Sequence, residues 1–230
     1  ATNAMHEVPD ELKDFRNFLF ITWKHLGLPD PTPVQYDIAE YLQHGPRRRM
    51  VQAFRGVGKS WITSAFGLWN LLMDPDKKIL VVSASKSRAD DFSSFCHRLI
   101  REMPILQHLA PDESQRSSKI AWDVGPAKAA HSPSCKSVGI TGQLTGSRAD
   151  LIIADDVEVP GNSATVGARS KLSESTKEFE AIIVPETGEV VYLGTPQSQE
   201  SIYTELPERG YDVRIYPARV PEDPGVYGDR

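Results

Sequence analysis

Gln52-Ala53-Phe54-Arg55-Gly56-Val57-Gly58-Lys59-Ser60 follows a short apolar run, Met50-Val51, and leads into Trp61-Ile62-Thr63-Ser64-Ala65-Phe66, which continues at helical spacing to Leu72. Strand, tight glycine turn, Lys-Ser and helix, in that order, is the pattern of a phosphate-binding loop. Gly56 and Gly58 let the backbone curl so that successive N–H groups face phosphate oxygens. The helix starting near Lys59 adds the positive end of its dipole. In this setting Lys59 reaches the β- and γ-phosphates and the Ser60 hydroxyl holds Mg²⁺. Two positions depart from the common pattern: Ala53 replaces its first glycine, and an extra cation, Arg55, lies inside the loop. Taken alone, the stretch also reads as a glycine turn before an ordinary helix.

A second stretch weighs against that plainer reading. Leu151-Ile152-Ile153-Ala154-Asp155-Asp156-Val157-Glu158 begins with four apolar residues and ends in carboxylates. The apolar run predicts a fully buried parallel strand, and open α/β sheets place ligands at the C-terminal ends of their strands. An aspartate there serves Mg²⁺ in nucleotide hydrolases, and the next carboxylate orients the attacking water. The order and separation of the two stretches favour a nucleotide hydrolase over a buried strand with a solvated acidic end.

Composition narrows the class further. The chain has 230 residues, of which 40% are hydrophobic, enough for one large α/β domain or two small ones. No apolar run approaches the roughly 18–20 residues of a membrane span, and the first residues do not read as a signal peptide. Cys96 and Cys135 lack zinc-type spacing, and reduced thiols in a cytoplasmic protein are expected. A net charge of −5 argues against a globally basic nucleic-acid binder.

Before the loop, Leu12, Phe15, Leu19, Trp23 and Leu26 predict one amphipathic helix between about Pro9 and Leu28. Gly27 and Pro29 end it. A second helix runs from Pro33-Val34-Gln35 through Leu42. Pro33-x-Gln35 resembles the adenine-reading segment of helicase-like ATPases, where an amide both donates to and accepts from the base; a glutamine in a helix's first turn reads equally well. Arg47-Arg48-Arg49 is expected to be a solvated loop, with a DNA contact as the alternative. After the loop, Lys78–Ser83 predicts a strand and Ala84–Met103 a helix whose Phe92, Phe95, Leu99 and Met103 pack in the core. Further strands are expected at Ile120–Val124, Ser137–Ile140, Glu189–Leu193 and Tyr211–Tyr216, and one long polar helix over Ala164–Ile183. Thr141–Arg148 forms a glycine-punctuated loop before the acidic strand. Thr195 and Gln197 follow the Glu189 strand, placed to sense a γ-phosphate or simply to make a turn. Alternating strands and helices without repeats predict a three-layer α/β domain around a mostly parallel sheet.

With these segments in view, the chain resembles the ATPase domain of phage terminase large subunits, most closely the short-tailed podophage DNA maturase B type. The phosphate loop, Val82-Ser83-Ala84-Ser85-Lys86, Asp123-Val124-Gly125-Pro126-Ala127-Lys128, Val138 through Glu158, and Tyr192-Leu193-Gly194-Thr195-Pro196-Gln197 carry the resemblance. It spans nearly the whole chain and covers both oddities of the loop, since that family's loops often lack the first glycine and carry an arginine.

The resemblance implies a P-loop NTPase of the additional-strand, RecA- and helicase-like class, using ATP and Mg²⁺. It implies a motor that couples hydrolysis to movement of double-stranded DNA into a procapsid, a homo-oligomeric ring on a portal, a small terminase subunit as partner, and the host cytoplasm as location. Residues 1–48 would be a helical segment carrying Gln35 and packed on the core, and 49–230 the ATPase core. The nuclease domain that follows in the family is absent before Arg230, so no DNA cleavage is expected. Nucleotide contacts fall on Gln35, Phe54, Arg55, Gly56, Val57, Gly58, Lys59, Ser60, Trp61 and Thr195, and the metal on Ser60 and Asp155. Asp156 or Glu158 would activate water, a choice the sequence leaves open. Arg55 or Arg148 would supply the arginine of phosphoryl transfer, Arg148 toward a neighbouring subunit. A superfamily 2-like helicase or remodeller, which needs a second arginine-bearing lobe, and a non-catalytic nucleotide-binding module are the competing functions.

Overall fold

The apolar runs become the middle of one sheet in the computed structural model, which describes residues 7–144, 146, 148–196 and 199–218. The elements are α1 (Phe15–His25), α2 (Pro33–His44), β1 (Arg48–Ala53), α3 (Lys59–Met73), β2 (Ile79–Ser83), α4 (Lys86–Glu102), β3 (Ala121–Trp122), β4 (Cys135–Gly139), β5 (Leu151–Asp155), α5 (Pro160–Ser163), α6 (Val166–Lys177), α7 (Phe179–Ile182), β6 (Glu189–Gly194) and β7 (Asp212–Tyr216). The seven strands lie in the order β3-β4-β2-β5-β6-β1-β7. All pairs are parallel except β3 with β4.

Strand periodicity divides the side chains between two cores. Val51, Ile79, Val81, Leu151, Ile153, Val191 and Leu193 face one side with α1 to α4. Their neighbours Met50, Leu80, Val82, Ile152, Ala154, Val190 and Tyr192 face the other, with Leu172, Phe179 and Ile182. Both faces of each central strand are covered, which is why the sequence shows continuous apolar runs there rather than alternation. This is the expected three-layer, mostly parallel α/β architecture.

The register then lines up the strand ends. Asp155 stands beside Ser83 on one side and Leu193 on the other, and Gly194 pairs with Gln52. The end of the acidic strand, the start of the glycine loop and Thr195 therefore share one edge of the sheet.

Three expectations are corrected. The first helix is two pieces, a 3-10 turn at Asp10–Lys13 and then α1, restarted at Asp14, whose carboxylate accepts the Arg16 N–H at 3.0 Å. The long polar helix over 164–183 is α6 and α7: α6 buries little beyond Leu172, and the chain turns at Glu178 so that Phe179 and Ile182 enter the core. Of the Arg47-Arg48-Arg49 triplet, Arg47 is an exposed bend, but Arg48 and Arg49 open β1 and are not a solvated loop. Arg49 is 1% exposed and donates to Glu189 and Pro46 O, both at 2.8 Å, and to Leu42 O. Arg48 holds Glu180 through two hydrogen bonds, at 2.9 and 3.0 Å. These guanidiniums are engaged within the fold. Thr145, Ser147 and Gln197 lie outside the described residues.

Candidate active site

The phosphate loop crosses from β1 to α3 through left-handed turns at Gly56 (φ 88°) and Gly58 (φ 85°). Residues with a Cβ rarely adopt that conformation, which explains both glycines. Val57 between them is buried, and its carbonyl accepts from Gln35 Nε2 at 2.9 Å. Phe54 packs half-buried against the core, while Arg55 is exposed.

Lys59 is only 9% exposed. Its ammonium donates to the Thr195 hydroxyl, lies 3.5 Å from Ala53 O and stands 3.7 Å from Asp156 Oδ1. Thr195 Oγ1 in turn donates to Ala53 O at 2.7 Å. One carbonyl at the end of β1 thus gathers the lysine and the strand-tip threonine, brought together from α3 and β6 by the sheet register.

The two aspartates are adjacent in sequence, so strand alternation alone would send their side chains to opposite faces. Asp156 instead has φ 46°, a left-handed conformation that aspartate tolerates better than most side chains. Both carboxylates consequently line the same cavity of about 560 Å³ with Ser60. Burial and the neighbouring Asp156 charge push the Asp155 carboxyl up to about 7, against the opposing fields of Lys59 and Arg88. Asp155 Oδ1 is inaccessible and has no hydrogen-bond partner. An orphaned carboxylate oxygen, a second carboxylate and a hydroxyl form a hard-oxygen donor set suited to a small divalent cation such as Mg²⁺.

Glu158 borders the phosphate-loop cavity with Asp156, but its carboxylate is bonded differently. It is 1% exposed, and its carboxylate accepts from Ser201 Oγ at 2.6 Å and Ile202 N–H at 3.0 Å, while its own N–H donates to the Tyr203 hydroxyl at 3.2 Å. It clamps the segment after β5 to the segment after β6. Asp156 is the more open of the two acids, with a quarter of its side chain accessible.

Gln35 is beside the loop, but its amide is engaged. Oε1 accepts from the Thr32 N–H at 3.0 Å and the Trp23 indole at 3.2 Å, and the Gln35 N–H returns to Thr32 Oγ1 at 3.2 Å. Both carbonyl lone pairs are filled, so an adenine amino group would have to displace one of these donors. Arg148 is also away from this cavity. It precedes β5, seven residues before Asp155, which at about 3.3 Å per residue puts it some 20 Å off, at the opposite edge of the sheet. It is exposed, and nearby Asp150 accepts the Lys78 N–H at 2.8 Å.

A second cavity, of about 370 Å³, is lined by Arg55, Gly56, Gly58, Lys59, Ser60, Thr195 and both Asp156 and Glu158. Trp61 borders both cavities, 39% exposed, with its ring edge-on to Phe95 at 5.0 Å. Phe92 and Phe95 form cavity wall, not core alone. Arg88, in the first turn of α4, also borders both cavities and was not singled out from the sequence. Its place just beyond the C-terminal end of β2 is the signal that could have found it.

With this geometry in hand, comparisons with known proteins place the chain. The model of the family described as terminase large subunit, T4likevirus-type, N-terminal, matches residues 52–192. The terminase large subunit of Enterobacteria phage T3 is 55% identical over 223 residues, which is 94% of this chain and 38% of that relative's length. The chain therefore spans well under half of the relative it matches. Among solved structures, yeast dbp5, bound to nup159, gle1, inositol hexakisphosphate and ADP, superposes with a TM-score of 0.54 at 12% identity, covering 83% of this chain and 49% of the other. The Thermus phage P74-26 large terminase ATPase domain gives 0.47 at 16% identity, over 79% and 71% of the two chains. The dbp5 likeness shows a shared fold and no more, whereas the family match and the phage T3 relative decide between terminase and helicase. The chain belongs to the terminase large subunit family.

Proposed function

We propose that this chain binds and hydrolyses ATP, and that it does so as the motor domain of a terminase large subunit moving double-stranded DNA into a procapsid. One observation supports the reading above the rest: the glycine loop, Lys59, Asp156 and Thr195 converge on a single cavity. Backbone N–H groups of Gly56 to Ser60 and the Lys59 ammonium hold the phosphates, with Phe54, Val57 and Trp61 shaping the loop and its rim. Ser60 and Asp155 hold Mg²⁺, which when bound neutralises phosphate charge and orients the terminal group.

Asp156 is the residue that takes up the proton of the attacking water. It is accessible and faces Lys59, whereas the Glu158 carboxylate already has two donors from Ser201 and Ile202. Phosphate drawing Lys59 away from Thr195 would release the threonine's hold on that ammonium, coupling nucleotide state to β6 and the segment after it. The Gln35 carbonyl accepts from adenine only by giving up its contact with Trp23 or Thr32, whereas among the described residues only one of its two amide N–H groups is used, on Val57 O; its first role is to hold the loop. Arg55 acts on its own nucleotide. Arg148, exposed at the far edge of the sheet, acts on a neighbouring subunit's. A ring on a portal, a small terminase subunit and the host cytoplasm complete the reading. No described helix is long and apolar enough to cross a membrane.

Phosphate release from ATP by the purified chain, measured against protein concentration, tests this. A rate per chain that rises with concentration is expected, because an arginine supplied between subunits completes each site. A flat rate removes Arg148 from the site, and neither nucleotide binding nor turnover at any concentration defeats the whole reading.

A further inference from the structure

Three cations border the phosphate cavity among the described residues: Arg55 and Lys59 from the loop and the helix it opens, and Arg88 from α4. Arg88 approaches from elsewhere in the fold. Strands β5 and β6 separate β2 from β1, so at about 4.8 Å per strand the α4 side begins some 14 Å from the strand that carries the loop. The acidic strand end and Thr195 lie between.

The Arg88 side chain is exposed and, among the described residues, enters no hydrogen bond or ion pair; its main-chain N–H donates to Ser85 Oγ at 3.3 Å. Yet Asp91, Asp155 and Asp156 border the adjoining cavity with it. An arginine that served to neutralise those acids would pair with one of them, as Arg49 pairs with Glu189. Arg88 instead keeps its whole planar fork available at the junction of the two cavities. A guanidinium in that condition suits two-point recognition of a phosphate group.

With the loop amides and Lys59 holding the first two phosphates, a third would extend beyond the end of a diphosphate into the cavity that Arg88 and Asp156 border. We propose that Arg88 contacts the terminal phosphate from the α4 side, so that ATP, and not ADP, bridges α4 to the loop. This rests on the nucleotide reading above and adds a discriminating contact to it. It also gives α4, which already touches the loop helix through Phe95 and Trp61, a part in sensing the nucleotide.

The test is calorimetric binding of two probes, Mg·ADP and the non-hydrolysable analogue Mg·AMP-PNP, to the wild-type chain, Arg88→Ala and Arg88→Lys. Losing a charge-assisted hydrogen bond should weaken AMP-PNP binding by about 10- to 100-fold in Arg88→Ala. ADP binding should be unchanged, and Arg88→Lys should recover part of the loss, having the charge without the fork. Arg88 is exposed, so the denaturation midpoint should hold in both variants and report that the fold is intact. Parallel weakening of the two nucleotides, or no change in either, overturns the assignment of Arg88. Failure of the wild-type chain to bind either probe overturns the nucleotide reading, and this inference with it.

Discussion

Where β1 starts, Arg49 is buried, gives its guanidinium to Glu189 and to the carbonyls of Pro46 and Leu42, and lies 6.0 Å over the Phe66 ring. Where the same strand ends, Arg55 is exposed on an open cavity, and Lys59 meets only a hydroxyl, a carbonyl and an aspartate 3.7 Å away. The strand β5 repeats the contrast with acids: Asp150 before it caps the Lys78 N–H, while Asp155 at its end keeps an oxygen with no partner. The starting edge of the sheet meets most of the bonding capacity of its charged groups internally, although the buried Arg49 Nε has no partner among the described residues. The finishing edge leaves them underused, and an unsatisfied buried polar group costs free energy that a ligand can recover. Residue type alone does not mark a site; what matters is whether its bonding capacity has already been met.

The contrast can be broken at its strongest point first. Lys59→Ala should abolish nucleotide binding at ordinary concentrations and reduce turnover on the order of 10³-fold or more, since the phosphates lose their main point charge. Wild-type-like hydrolysis would show that the finishing edge is not the site. Asp156→Asn should come next, leaving nucleotide bound while single-turnover hydrolysis falls about 10²–10⁴-fold, the range for loss of a general base. Glu158→Gln, measured beside it, should leave turnover close to wild type and cost about 1 kcal/mol of stability through the weakened Ser201–Ile202 clamp. The reverse pattern would assign water activation to Glu158.

Arg49→Ala tests the other edge and should act on stability alone. Removing one partner of a largely buried pair should lower unfolding free energy by about 3 kcal/mol, read from urea denaturation. The lower part of the usual range is expected because Glu189 keeps some access to water. Nucleotide affinity at a temperature where the variant is fully folded should be unaffected. A selective loss of affinity would mean that the two edges are not as separate as their bonding suggests.

How far these features could be read in advance follows from the physics of each. The glycine loop was legible because Gly56 and Gly58 sit where only a left-handed backbone closes the turn, and β5 because a strand buried on both faces must be apolar throughout. Satisfaction of charges was not legible: Arg47-Arg48-Arg49 is the same string of letters whether solvated or buried, and only the position of Glu189 on the neighbouring strand decides. Asp155 and Asp156 were visible, but the left-handed turn that points both toward one cavity depends on tertiary context. Gln35 carried a signal that was passed over, since Thr32-x-x-Gln35 is a helix capping box in the sequence itself. The break at Glu178 had no glycine or proline to announce it; burial of Phe179 and Ile182 imposes it.

The capping box at Thr32 has a consequence for the loop. Gln35 closes the first turn of α2 and, through the other end of the same amide, holds the carbonyl of Val57. The helix start cannot fray without releasing the loop, and the loop cannot swing without loosening the helix start. Helix α2 is itself fastened through Gln43, which accepts the Phe15 N–H at 2.9 Å. The loop's shape is thus borrowed from a fold element on its upstream side, and much of its conformational entropy is surrendered during folding. What remains to be lost when an anion arrives is correspondingly small.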